Sequence, residues 1–365
     1  MTLPSQLQPQ VQPQTQKRAK VLPADTPELF QTAVAQAREQ LQAGQLVALP
    51  TETVYGLAAN AWNANAVTAI FAAKGRPAIN PIIVHVSSLE MARQCVAAWP
   101  PAAEMLARAF WPGPLTLVLP KSTAIPPVVT AGGNTVGVRF PSHPVIQAVI
   151  QACGFPLAAP SANPSNQVSP TTATHVLETL GDKLPLILDG GPCQVGIEST
   201  VIDLTSTPPR LLRPGMIPAS ALLSVLGKIG LDSGQHAPAP AATTASPTGN
   251  ALRSPGMMKK HYSPKAHLLI LAWRTPAEFL KQLQQLAPAI PPAQTHVLCH
   301  TQIPEQTRCG RVVMLAREPG AFARSLYAQL HESDNTGARL IVVEAPPPGD
   351  AWQAIADRLN RAAAV

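Results

Sequence analysis

Cysteine is sparse and unpatterned in this chain. Cys95, Cys153, Cys193, Cys299 and Cys309 form no CxxC pair. An odd set with irregular spacing argues against a disulfide framework and against a zinc site, and it points to a reducing cytoplasm. Aromatic residues make up only 4% of the chain and charged residues only 13%, so the core must be built from Val, Leu, Ile and Ala. No apolar run approaches the roughly 20 residues that span a bilayer, and the first residues carry no secretory h-region. A soluble protein without membrane contact is expected. The chain contains neither a GxxxxGK[ST] loop nor a GxGxxG turn. A nucleotide handled here must therefore be held by another route. Lysine and arginine form no block that reads as a nucleic-acid stripe. The net charge of +7 fits an anionic substrate or an RNA contact and does not choose between them.

A chain of 365 residues favours two domains. Residues 1–20, rich in Gln and Pro, read as a disordered tail. From 21 to about 225 apolar strands alternate with helix-period segments. Strands are expected at 46–50, 81–86, 115–120, 135–140 and 185–189, and helices at 31–44, 64–74, 101–110, 144–153 and 171–180. This is an α/β domain, and the irregular helix spacing favours a mixed sheet over a purely parallel one. Residues 226–265 include a run of Ala, Pro, Thr, Ser and Gly that reads as an extended linker. From 266 to 365 a second alternation of strands and helices predicts a smaller Rossmann-like α/β domain, without the glycine fingerprint of a dinucleotide site.

Polar residues concentrate in a few short motifs. Lys74-Gly75-Arg76 ends a helix, with Gly75 as a left-handed cap and Pro77 beyond. The cap explains Lys74 and Gly75 but not Arg76, nor Asn80 at the entrance to the apolar segment that carries His85. Thr51, Glu52 and Thr53 follow a strand directly, at the end where α/β sheets place ligands. Thr135 and Arg139 share one face of a strand. An arginine among Val and Phe is costly to bury without an anionic partner, which makes Arg139 the best candidate for a carboxylate clamp. Ser161 and Asn163 lie in a proline-stiffened loop. Ser169 precedes Pro170 and reads as a helix N-cap, a geometry that also suits a phosphate. Glu198, Ser199 and Thr200 interrupt an extended apolar segment, and Arg213 stands at a turn entrance. The linker ends in the dense cluster Lys259, Lys260, His261 and Tyr262, as if it folds back over something.

Taken in order, PTETVYGL, KGRP with NPIIVHV, TVGVRFP, APSAN, SPT, DGG with GIESTV, LRPG and SPGM…KHYSP closely resemble the threonylcarbamoyl-AMP synthase family in its two-domain form. That form joins a YrdC-like domain to a smaller C-terminal domain, and the resemblance spans roughly residues 24–365. It implies synthesis of threonylcarbamoyl-AMP from L-threonine, bicarbonate and ATP with release of pyrophosphate. This is the first step of N6-threonylcarbamoyladenosine formation in tRNA, which a separate transferase machinery completes. It also implies that Lys74 and Arg76 face the ATP phosphates as the catalytic cations. Asn80, Thr135, Ser161, Asn163, Ser169, Arg213 and Tyr262 would complete the ATP site, with Tyr262 as part of a lid. Thr51, His85, Arg139 and Ser199 would hold threonine. Mg²⁺ would ride on the phosphates, since no metal-ligand cluster is visible. On this reading Lys74-Gly75-Arg76 forms one wall of the ATP site and Ser161-Ala162-Asn163 the opposite wall. The alternatives are a double-stranded RNA or tRNA-binding protein that uses a basic concave face, and a carbamoyl-adenylate enzyme of hydrogenase maturation. The latter would carry acylphosphatase or zinc-finger segments that this chain lacks. A partner-docking role for the C-terminal module is compatible with the enzyme reading.

Overall fold

A computed structural model of the chain describes residues 18–232, 261–301 and 308–364. Residues 1–17 of the expected tail and most of the linker, including Lys259 and Lys260, lie outside the described residues. Order begins inside the stretch expected as tail. Ala19 is buried and its N–H donates to Gly181 O, and Lys20 opens strand β1 (Lys20–Pro23).

Capping chemistry sets the first helix. α1 (Pro27–Gln42) has Thr26 as its N-cap, accepting from Leu29 N, and Pro27 in its first turn, where a missing N–H is harmless. β2 (Val47–Leu49) is fully buried, and after the loop 50–55 the chain forms β3 (Gly56–Asn60). The polar run Thr51–Glu52–Thr53 hides this second strand from pattern reading. α2 (Ala64–Lys74) ends at Gly75, which adopts φ 61° in the left-handed region, as the Gly-then-Pro signal predicts.

Only Val84–His85 of the apolar run 81–86 pairs as a strand, β4. α3 (Leu89–Cys95), α4 (Pro101–Phe110), β5 (Leu115–Pro120), β6 (Thr135–Arg139) and α5 (Pro144–Cys153) follow. Next come β7 (Leu157–Ala158), α6 (Ala173–Leu180), β8 (Leu186–Asp189), β9 (Thr200–Asp203), β10 (Arg210–Arg213) and α7 (Ala219–Leu226).

These strands form one sheet in the order β1-β8-β2-β3-β7-β4-β6-β5-β9-β10. The sheet is mixed: β4 pairs with β6 in parallel, whereas β2 with β3 and β5 with β6 are antiparallel. α1 and α5 cover one region of it through Ala33, Ala37, Leu41, Val145, Val149 and Ile150. α2 and α4 pack into a separate core with Val67, Ile70, Leu106 and Leu117. The register sets His85 beside Arg139, so two polar side chains stand next to each other in the middle of the sheet.

The second unit is a four-stranded, all-parallel sheet in the order β11-β14-β12-β13. Its elements are β11 (His267–Leu271), α8 (Pro276–Leu286), β12 (Thr295–Cys299), β13 (Arg311–Met314), α9 (Pro319–Asn335), β14 (Leu340–Glu344) and α10 (Gln353–Ala363). Parallel strands with covering helices match the expected Rossmann-like arrangement. α9 and α10 turn apolar side chains toward the first unit, where Phe322, Leu326, Tyr327 and Leu359 share a core with Val54, Val168, Ile197 and Tyr262. The seam between the two units is a continuous hydrophobic core.

Candidate active site

A cleft opens where the loop after β2, the ends of β4 and β6 and the segment 159–161 converge. About 530 Å³ of non-atom space lies within it, the open solvent at its mouth included. Thr51, Arg76, His85, Arg139, Ser161, Ser199, Arg213 and Tyr262 all line it, together with Thr53, Glu198 and His261.

Arg139 occupies one end. Its Nη2 lies 2.7 Å from Glu52 Oε1, Nη1 donates to Thr53 Oγ1 at 2.9 Å, and Nε donates to Gly113 O at 3.3 Å. The anionic partner demanded by burial is thus Glu52 of the chain itself. Thr51 closes a local turn instead of projecting alone: its Oγ1 donates to Val54 O at 2.7 Å and accepts from Val54 N and Thr53 N. His85 is held neutral, its pKa lowered to about 3 by burial and then by the Arg139 charge, and its Nδ1 has no hydrogen-bond partner.

The other end is cationic. Arg76 is anchored by its own loop, with Nε donating to Asn80 O at 3.0 Å and Nη2 to Pro81 O at 2.7 Å. Asn80 therefore serves the site through its carbonyl, behind Arg76. Burial lowers the Arg76 pKa to about 10. Lys74 is more deeply placed, and its Nζ donates to the carbonyls of both Ser161 and Asn163. The two motifs expected as opposite walls are one wall, stapled together by this ammonium. Burial, followed by the Arg76 charge, pulls the Lys74 pKa well below the ordinary lysine value. Gly56 bridges to Ser161 of the same loop, and a Cβ on it would sit 3.3 Å from that of Ala159. Asn163 turns its amide nitrogen into the loop, toward Pro164 O and Gln167 O.

Ser199 and Arg213 tie the two ends. Arg213 Nε donates to Ser199 O at 3.1 Å and Nη2 to Ser199 Oγ at 3.2 Å, while Ser199 Oγ also contacts Thr116 Oγ1 at 2.8 Å. Thr135 does not reach the main cleft. It lines a smaller neighbouring cavity with Thr116, Thr130 and Val201, and the two cavities meet at Ile83.

Ser169 departs from its expected role as an N-cap. α6 starts at Ala173 and is capped by Thr172, whose side chain accepts from His175 N. Ser169 instead donates Oγ–H to Glu198 Oε1 at 2.6 Å. The segment 170–172 stays outside the helix, because Thr172 offers a cap three residues further on than Ser169, a competition that pattern reading does not resolve. Glu198 is the buried hub here, and it also receives Tyr327 OH at 3.0 Å and Arg358 Nε at 2.7 Å from the second domain. Burial alone would raise its pKa, but Arg358, Arg213 and the Ser169 hydrogen bond together bring it down to about 2. Tyr262 lies over this group, fully buried, with its hydroxyl lacking a hydrogen-bond partner. The sequence singles out Glu198 as a polar interruption but holds no signal for Tyr327 or Arg358, which sit on helices that look ordinarily amphipathic.

Among the described residues no group of three or more His, Cys, Asp or Glu side chains could hold a metal ion. The carboxylate lining the cleft, Glu198, is already engaged by Arg358 and Ser169. The donor set presented to a ligand is cations, hydroxyls and two imidazoles. It suits anions, and it does not fit a directly ligated Mg²⁺. No helix among the described residues is long and apolar enough to cross a membrane.

A twisted mixed sheet with an anion cleft built without a glycine-rich phosphate loop, joined to a parallel α/β module, defines a two-domain protein of the YrdC-like class. A family model described as "Telomere recombination" matches residues 39–215, and one described as "Threonylcarbamoyl-AMP synthase, C-terminal domain" matches residues 217–364. The threonylcarbamoyl-AMP synthase of Pyrococcus abyssi is 40% identical over 323 residues, covering 88% of this chain and 91% of the relative. That of Bacillus subtilis is 38% identical over 334 residues, covering 90% and 92% respectively. The crystal structure of Pyrococcus abyssi Sua5 complexed with L-threonine superimposes with a TM-score of 0.80 at 39% identity, covering 94% of this chain and 96% of that one. The chain belongs to the threonylcarbamoyl-AMP synthase family.

Proposed function

We propose that this protein joins L-threonine and bicarbonate to the adenylyl group of ATP, giving threonylcarbamoyl-AMP and pyrophosphate. The observation that carries the reading is that one cleft is lined by arginines in two different settings. Arg139, beside His85, lies at one end, and Arg76, with Ser161 on the Lys74-stapled loop, at the other. An amino-acid carboxylate suits the first and a polyphosphate the second.

The chemistry needs no protein nucleophile. The amine of threonine forms an N–C bond to the carbon of bicarbonate and water leaves, giving a carbamate. A carbamate oxygen then attacks the α-phosphorus, and the bond from that phosphorus to the bridging oxygen breaks as pyrophosphate departs. The protein contributes positioning and charge. Arg139 orients threonine through its carboxylate. His85, kept neutral by burial, offers a hydrogen-bonding nitrogen without adding charge near the amine. Arg76, with Lys74 behind it, offsets the charge gathered on the leaving pyrophosphate, a contribution of roughly 2–4 kcal/mol for one such contact. Thr135, Asn163 and Ser169 act less directly, by shaping the nucleotide end. Mg²⁺ would enter on the phosphates of ATP, and no step above is routed through it.

The product is a mixed anhydride, so a transfer reaction must consume it, and a tRNA-modifying threonylcarbamoyl transferase machinery fits that place. A cytoplasmic setting suits such work. The RNA-binding alternative gains nothing from the geometry. Arg76, Arg139 and Arg213 are each no more than 8% exposed, so they form a buried pocket and not a groove that tracks a backbone. Mass spectrometry of a reaction containing ATP, threonine and bicarbonate tests the proposal. Threonylcarbamoyl-AMP should accumulate, and its absence from an otherwise folded, ligand-binding protein would refute the assignment.

A further inference from the structure

The second domain meets the back of two cleft-lining residues, Glu198 and Tyr262, through its last helix. Arg358 on α10 is fully buried, yet it belongs to the domain that carries none of the motifs above. Its Nε donates to Glu198 Oε2 at 2.7 Å, Nη2 donates to Glu198 O at 3.3 Å, and its guanidinium lies 5.3 Å from the centre of the Tyr262 ring. Asp357 braces it from the same helix at 2.7 Å.

Tyr262 needs such bracing. Its φ of 62° places a bulky residue in the left-handed region, a conformation that costs of order 1–3 kcal/mol and persists only where the surroundings impose it. The last turn of α10 contributes two bonds to this surrounding: Arg361 O accepts from His261 N, and Ala362 O accepts from Ser263 Oγ. The same helix therefore holds the backbone before Tyr262, the Ser263 side chain after it, the ring of Tyr262 and the carboxylate that binds Ser169. Ser263 N donates to Asn166 O of the first domain.

We propose that Arg358 is a positioning residue for nucleotide binding, acting through Glu198 and Tyr262, both of which line the cleft. The proposal rests on the threonylcarbamoyl-AMP reading of the site. It assigns the C-terminal domain a specific role, the completion of the ATP end of a cleft whose threonine end is built by the first domain. Arg139 and Thr51 take their hydrogen bonds and ion pair from Glu52, Thr53, Val54 and Gly113, and the Ser199 hydroxyl, next to Glu198, bonds Thr116 and Arg213. All of these lie in the first domain, so the larger effect is expected on the nucleotide.

The test compares two ligands on the full chain by calorimetric titration, α,β-methylene-ATP and L-threonine. Arg358→Met should weaken the nucleotide analogue by about tenfold and change threonine affinity by less than about twofold. Arg358→Lys, which keeps a cation against Glu198, should recover most of the loss. Equal losses for both ligands, or unchanged analogue affinity in a folded Arg358→Met, would overturn the proposal, since a merely structural role moves both or neither. Should Arg358→Met fail to fold, Tyr327→Phe takes its place. That change removes one hydroxyl from Glu198 and should weaken the analogue alone, by about threefold; no change, or a matching loss for threonine, overturns the idea. A wild type that binds neither ligand sinks the functional reading itself, and that result appears before any substitution is made.

Discussion

Arg139 and Glu52 form an ion pair with Nη2 and Oε1 2.7 Å apart and both side chains about 5% exposed. The pair sits at the end of the cleft assigned to threonine, so the residue proposed to receive the substrate carboxylate already carries an internal one. Glu52 Oε2 has no hydrogen-bond partner, which leaves the carboxylate dependent on the arginine. Removing one member of a buried pair typically costs about 3–5 kcal/mol, because the other is stranded. Arg139→Met should therefore destabilise the fold by that order in urea denaturation and abolish threonine binding. Adding Glu52→Gln to it should restore most of the stability but none of the threonine affinity. Restored binding in the double variant would show that Arg139 is structural only.

Lys74 makes a different prediction, about protons. As an ammonium it has three donors, and two are spent on the carbonyls of Ser161 and Asn163. With its pKa held well below the usual lysine value by burial and Arg76, an arriving phosphate should raise it again. ATP binding should then be accompanied by proton uptake, seen as a dependence of the titration enthalpy on the ionisation enthalpy of the buffer. The uptake should vanish in Lys74→Met. Buffer-independent enthalpies in the wild type around neutral to alkaline pH would contradict the placement.

Acid should destabilise the molecule in two stages. His85 and His261 each have a pKa lowered to about 3, in both cases chiefly by burial. A histidine with a depressed folded pKa contributes stability that is complete above its unfolded value near 6.5 and is lost as pH falls toward the folded value. The unfolded chain binds the extra protons, so each group can remove up to about 1.4 kcal/mol per pH unit in that window. Glu198, with a pKa of about 2, acts lower: its contribution is present above about 4.5 and is lost between there and about 2. Urea midpoints at pH 7.5, 5.5 and 4.5 should fall steadily, and His261→Gln should flatten part of the slope. A flat profile across that range would disprove the neutral-histidine account.

Gly75 links backbone geometry to activity. At φ 61° it ends α2, with no atom within 4 Å of where a Cβ would project. Gly75→Ala meets no clash, so its cost is the left-handed conformation, about 1 kcal/mol. Turnover should suffer more than stability, because any relaxation of the cap moves Lys74 and Arg76 relative to each other. Unchanged activity beside a stability loss of about 1 kcal/mol would show that their spacing is not critical.

Local pattern reveals some of these features and not others. The end of α2, with Gly75 as its cap and Pro77 beyond, is legible from local chemistry alone, because both signals are local. β3 is not, since the polar Thr51–Glu52–Thr53 run precedes it and its strand character comes from pairing with β2 and β7. The members of the cleft are visible as motifs, yet their connections are not. Nothing local says that Lys74 bonds the Ser161 loop or that Glu52 meets Arg139 across the sheet. Arg358 is least legible of all. In the run ADRLNR it has the look of a solvated helix charge, and only the docking of two domains makes it a buried partner of Glu198.

Pyrophosphate release from ATP, with L-threonine and bicarbonate each withheld in turn, decides whether the cleft couples two anion sites in one reaction. Release should occur only when both are present, and it should be lost in Arg76→Ala and Arg139→Met. Release that continues at the same rate without threonine would contradict the assignment.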